Sequence, residues 1–130
     1  MSACPRVKKK FVSLQQIINR DSQMKNIEFI SYLDNLELNR IRVRLVTENG
    51  ELKDVMFQYE TCLVNEWVAI VRYDCAHGFF HRDVLLPNGD KEKKAIEIDT
   101  LKRASQYAEQ DLKDRWEWYR ERYIKKLKKR

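Results

Sequence analysis

Both histidines of this 130-residue chain fall in one short stretch, Arg72-Tyr73-Asp74-Cys75-Ala76-His77-Gly78-Phe79-Phe80-His81-Arg82-Asp83, four residues apart. Histidine changes protonation near neutral pH, so a pair can supply a general acid and a general base. Metal-independent RNA cleavage fits these residue types. One histidine would take the 2′-hydroxyl proton, the other would protonate the leaving oxygen, and Arg72 would offset phosphoryl charge. The expected catalytic set is His77, His81, Asp83 and Tyr73, with Tyr73 replacing one proton carrier or stacking on a base.

Strand parity adds geometry. If residues 80–86 are extended, Phe80, Arg82, Val84 and Leu86 share one face, and His81, Asp83 and Leu85 share the other. Phe80, Val84 and Leu86 read as core, which turns His81 and Asp83 outward together, the aspartate orienting the imidazole. Two other readings stay open. In one, the histidines merely hydrogen-bond at a tight turn while Asp83 pairs with Arg82 or Arg72. In the other, His77, His81, Asp83 and Asp74 hold a metal. Their spacing matches no standard ligand pattern, and Gly78-Phe79-Phe80 argues against the helix on which His-x-x-x-His is persuasive. No metal or other cofactor is expected.

Charge points to the partner. Residues 1–20 carry five basic and no acidic groups, and residues 115–130 carry eight basic and two acidic ones, against a net of +6 for the whole chain. A body near neutral to acidic with two basic ends suits a polyanion such as RNA or another nucleic acid. Equally, 1–10 and 125–130 can be solvated basic tails of a single domain spanning 1–130. Near the C-terminus Trp116, Trp118, Tyr119 and Tyr123 interleave with Arg115, Arg120 and Arg122. Trp116, Tyr119 and Tyr123 read as core, and Trp118 as the partner contact. Arg72, Arg82, Trp118, Arg122, Lys125 and Lys126 form the expected nucleic-acid-binding set.

The elements that must position these groups follow from periodicity. Phe11, Leu14, Ile17 and Ile18 predict a short N-terminal helix over 11–19, and 26–38 fits either helix or strand. From Arg40 onward the period is two. Strands are expected at 40–45, 52–64, 67–73, 80–86 and 91–98, with turns at Asn49-Gly50, Asn65-Glu66 and 87–90. Asp99 or Thr100 then caps a long amphipathic helix whose face runs Leu101, Ala104, Ala108, Leu112, Arg115, Trp116, Tyr119, Tyr123 and Leu127. The fold class is α+β: an antiparallel β-meander of about five strands, a helical N-terminus and a long C-terminal helix. Three scattered cysteines without C-x-x-C spacing predict no disulfide framework. Cys62 is expected as a small apolar strand residue and Cys75 as an inert thiol. With no apolar run long enough to span a bilayer and no secretory h-region, a cytoplasmic protein without membrane contact is expected.

The segment VRYDCAHGFFHRDVLLPNGDKEKK, followed by DLKDRWEWYRERY, resembles a family of small, mostly uncharacterised prokaryotic proteins. It is also distantly similar to the TumE-type toxins of toxin–antitoxin pairs. The resemblance covers roughly the C-terminal half, and TumE has a denser histidine cluster. It implies a toxin-like protein acting on RNA, with Arg72, Asp74, His77, His81 and Asp83 in the site and a protein antitoxin as a possible partner. A non-catalytic adaptor that binds nucleic acid or protein, including an antitoxin or a phage-encoded partner, is the alternative.

Overall fold

The computed structural model describes the backbone of residues 13–18 and the whole of residues 23–75 and 78–129. His77 and the tail 1–10 therefore lie outside the described residues. Seven antiparallel strands form one sheet in strictly sequential order: β1 Ser13–Ile18, β2 Gln23–Tyr32, β3 Asn39–Glu48, β4 Glu51–Leu63, β5 Glu66–Asp74, β6 His81–Leu85 and β7 Lys91–Ala95. One helix, α1 (Leu101–Lys128), follows and packs on β4 and β5. The α+β meander with its long C-terminal helix is thus the observed architecture.

The expected N-terminal helix is instead a strand. β1 pairs with β2 from Ser13↔Glu28 to Ile18↔Gln23, and backbone pairing to a neighbour outweighs the weak helical spacing of a few apolar residues. The ambiguous segment 26–38 resolves as β2 followed by a tight loop. There the Asp34 carboxylate accepts from the Leu38 and Asn39 backbone N–H groups at 3.1 and 3.0 Å.

Asn49-Gly50 makes the expected two-residue hairpin, both residues having positive φ (52° and 81°) and Glu48 standing opposite Glu51. The next turn lies one residue earlier than its sequence suggests. Val64 and Asn65 take the left-handed conformations (φ 50° and 66°), although Val64 is β-branched and disfavours that region. Register shifts at Val46/Thr47 and at Tyr59/Glu60 mark two bulges.

The core lies between the sheet and α1. Ile41, Val43, Val55, Phe57, Tyr59, Val71, Tyr73, Phe80 and Val84 pack with Ala104, Ala108, Leu112 and Tyr119. The two alanines let the helix axis approach the sheet closely. Thr100 caps the helix, its hydroxyl accepting from the Arg103 N–H at 3.1 Å. Arg115 and Leu127, assigned by spacing to the buried face, are exposed. Cys62 is disulfide-bonded rather than a plain apolar filler. No helix among the described residues is long and apolar enough to cross a membrane.

Candidate functional site

Adjacent residues of a strand point to opposite faces, so the sheet divides the expected site in two. On the face away from α1, Asp74 stands opposite His81 and Arg72 opposite Asp83. His81 Nε2 lies 2.7 Å from Asp74 Oδ1 and 3.8 Å from Asp83 Oδ2. A carboxylate oxygen only accepts, so Nε2 carries the proton and donates to Asp74. Nδ1 faces the Phe79 carbonyl oxygen at 3.4 Å, and the Phe79 ring leans over the imidazole. Asp83 in turn faces Lys93 Nζ at 3.5 Å and Lys91 Nζ at 3.9 Å.

The parity expected for His81 and Asp83 holds, but the outward exposure does not. His81 is only 2% exposed and Asp83 is buried as well. The face turned from the helix is itself largely closed by polar side chains, with Arg40, Gln58 and Glu60 also buried. Their hydrogen bonds make that burial tolerable: Glu60 accepts from Arg40 Nε at 2.7 Å, Arg42 Nε at 3.2 Å and Gln58 Nε2 at 2.6 Å. Burial pushes the Glu60 carboxyl up, but these three donors outweigh it and hold it below the ordinary range. Arg40 also stacks on Trp67, its guanidinium carbon 3.8 Å from the ring centroid.

Tyr73 and Arg82 are on the other face, under the helix, and cannot join His81. Tyr73 donates its hydroxyl hydrogen to Asp111 Oδ2 at 2.6 Å, and Tyr119 donates to the same oxygen at 2.6 Å. Arg82 donates to the Tyr119 hydroxyl at 3.3 Å. Both tyrosines are locked as neutral donors: burial, then the Asp111 carboxylate, raises Tyr73 well above the ordinary phenol range and pushes Tyr119 up to about 12. Tyr73 therefore serves helix docking, and Arg82 is a half-buried partner of that cluster rather than an open phosphate contact.

Trp118 meets its expectation of exposure at 51%. It is clasped by two guanidiniums from its own helix, Arg115 at 4.7 Å and Arg122 at 5.8 Å from the ring centroid, and stands edge-on to Tyr119. Arg122 is already committed, one terminal nitrogen donating to both oxygens of Glu92 on β7 at 2.9 and 2.8 Å. Lys125 and Lys126, expected in a loose tail, belong to the exposed last turns of α1 and extend its basic surface.

Beneath the start of α1 lies a cleft of about 800 Å³ lined partly by Cys75, Phe79, Phe80, Ile96 and Ile98. Cys75 is a free thiol, and burial followed by the neighbouring Asp54 carboxylate raises its pKa, which disfavours the thiolate. Among the described residues no group of three or more His, Cys, Asp or Glu side chains is placed to hold a metal ion.

Asp111, Gln58 and Glu60 escaped the sequence reading. Asp111 lies four residues before Arg115 and eight before Tyr119, on the docking side of the helix, and its charge hid it among solvent-facing acids. The signal for Gln58 and Glu60 was their alternation with Tyr59 on one strand.

The described residues thus form a sheet-based module carrying a buried polar network on one face and a basic aromatic helix on the other. It belongs to the family described as Domain of unknown function (DUF7718), whose model matches residues 23–129. No curated protein and no solved structure matches the chain.

Proposed function

We propose that this protein binds single-stranded nucleic acid, RNA foremost, without needing to cleave it. The observation that carries the reading is the exposed Trp118 ring held between Arg115 and Arg122. The exposed part of the indole offers a base a stacking surface, and Arg115, Lys125 and Lys126 supply charge for the neighbouring phosphates. Stacking of one base on such a ring contributes about 1–3 kcal/mol.

Titration of a short unstructured RNA, followed by tryptophan fluorescence, tests this. Trp118→Ala should weaken binding by roughly tenfold at fixed salt. Lys125→Gln/Lys126→Gln should flatten the logarithmic salt dependence by about 1.4, near 0.7 for each single-strand phosphate no longer neutralised. Unchanged affinity in the tryptophan variant would remove the platform.

Toxin-like RNA cleavage, with a protein antitoxin as partner, is the second reading, and the Asp74–His81 pair favours it because a carboxylate so placed orients an imidazole. It ranks second because His81 is almost wholly buried and its Nε2 is already engaged. Induced expression of wild type beside His77→Ala and His77→Ala/His81→Ala, at equal soluble yield, separates the two. Growth arrest with RNA fragmentation that disappears in His77→Ala supports cleavage. Intact RNA throughout leaves binding.

A further inference from the structure

Arg42 and Arg72 stand two strands apart on the face turned from α1, with Gln58 directly between them in the cross-strand row. Each guanidinium is gripped through its Nε: Arg42 by Glu60 Oε2 at 3.2 Å, Arg72 by Gln58 Oε1 at 2.7 Å. Gln58 is fixed in turn by its own bond to Glu60 at 2.6 Å. The terminal nitrogens of both arginines have no hydrogen-bond partner among the described residues. Both side chains also reach solvent, Arg42 at 38%. A guanidinium held at Nε loses little further freedom when its two terminal N–H groups close on a pair of oxygens.

The charges are anchored without being cancelled. Glu60 is one carboxylate shared between Arg40 and Arg42, and the residue holding Arg72 is a neutral amide. Asp83, opposite Arg72 on the next strand, faces Lys91, Lys93 and His81, and it forms no ion pair with Arg72 among the described residues. Positive charge is left over at the point where both forks are preorganised.

We propose that Arg42 and Arg72 form a phosphate-binding site that grips one phosphate dianion, free or as a monoester, above Gln58. Strands lie about 4.8 Å apart, so the two Cα atoms are separated by about 10 Å, a span two long side chains close around one small anion. A carboxylate has a single two-oxygen edge and satisfies one fork. A phosphate dianion presents three or more terminal oxygens and a charge that matches two guanidiniums. This site shares no residue with the Trp118 platform and stands on the opposite side of the sheet, so it does not rest on that reading.

The test is calorimetric titration with inorganic phosphate, a nucleoside 5′-monophosphate, and a 5′-phosphorylated RNA oligonucleotide beside its 5′-hydroxyl counterpart. The oligonucleotide arms use Trp118→Ala protein, so that the helix platform neither supplies nor masks the signal. At least one phosphate probe should bind and shift the Arg42 and Arg72 Nε–H resonances. Arg42→Gln/Arg72→Gln should weaken that binding at least roughly tenfold in protein shown to be folded by circular dichroism, and Arg72→Lys should lose most of it despite keeping the charge, because the fork is gone. A 5′-phosphorylated oligonucleotide binding tightest assigns the end of a nucleic acid; equal binding of all three phosphate probes assigns a small anion. Absence of binding by every phosphate probe, or wild-type affinity in the double glutamine variant, overturns the site.

Discussion

The His81→Ala variant is expected to lose about 3 kcal/mol of folding stability, measured by urea denaturation at neutral pH. Two costs add. A ring 2% exposed leaves a cavity against Phe79, and the Asp74 and Asp83 carboxylates lose the imidazole that stands between them. Lys91 and Lys93 still screen Asp83, which keeps the loss below that of a fully stranded buried charge. A variant with wild-type stability would show that the imidazole is not a structural keystone and would return it to consideration as a proton carrier. Activity measurements on any His81 variant should therefore be normalised to folded protein.

Asp111→Ala should be comparably severe, about 3 kcal/mol, because one carboxylate oxygen is the acceptor for two buried phenols. The loss strands Tyr73 and Tyr119 as donors and leaves Arg82 without its charged neighbour. The asymmetry of hydrogen-bond energetics gives a sharper check: Tyr73→Phe/Asp111→Ala/Tyr119→Phe, which removes donors and acceptor together, should cost less than Asp111→Ala alone plus the loss of the two hydroxyls measured separately. A loss equal to that sum in a urea series would mean the cluster contributes packing alone.

The same cluster sets an alkaline limit. Tyr119 has its pKa raised in the fold from 10.0 to about 12, so its contribution to stability is complete below pH 10 and fades as pH rises towards 12. The fall in stability over that window should be shallower in Tyr119→Phe, which has no proton to lose.

Much of this fold is legible because its punctuation is chemical. Asn49-Gly50, the turn at 87–90, the Thr100 cap and the Ala104, Ala108, Leu112 spacing each name an element through a backbone or packing requirement. β1 and β2 were not legible, since Leu14, Ile17 and Ile18 fit a helical face as well as a strand, and only pairing with a neighbour decides. The site failed for a subtler reason. Parity correctly put His81 and Asp83 together, but Tyr73 was grouped with them because the strand register is not readable from sequence, and parity carries no information about burial when the far face is closed by arginine, glutamine and glutamate. The row Arg42–Gln58–Arg72 depends on two bulges. A plain two-residue turn at Asn49-Gly50 would set Arg42 opposite Phe57, and the extra residue near Val46/Thr47 moves it to Gln58. That bulge was implicit in the sequence, because only an odd insertion lets Ile41, Val43 and Leu45 share a face with Val55 and Phe57. The second bulge, at Tyr59/Glu60, brings Arg72 rather than Val71 opposite Gln58 by the same logic.

The sequential order of the sheet has a consequence for how this architecture can vary. Every strand pairs only with its neighbours in the chain, so nothing is threaded and nothing crosses over. β1 is the outermost slat, joined to β2 alone, and the family match begins at Gln23, the first residue of β2. Such a sheet grows by accretion: a slat can be added, shortened or exchanged at that margin while the register of the others, and the cluster between β5 and β6, stays as it was. The unit from β2 to α1 is the chassis that the family model spans, and β1 is an addition at its margin.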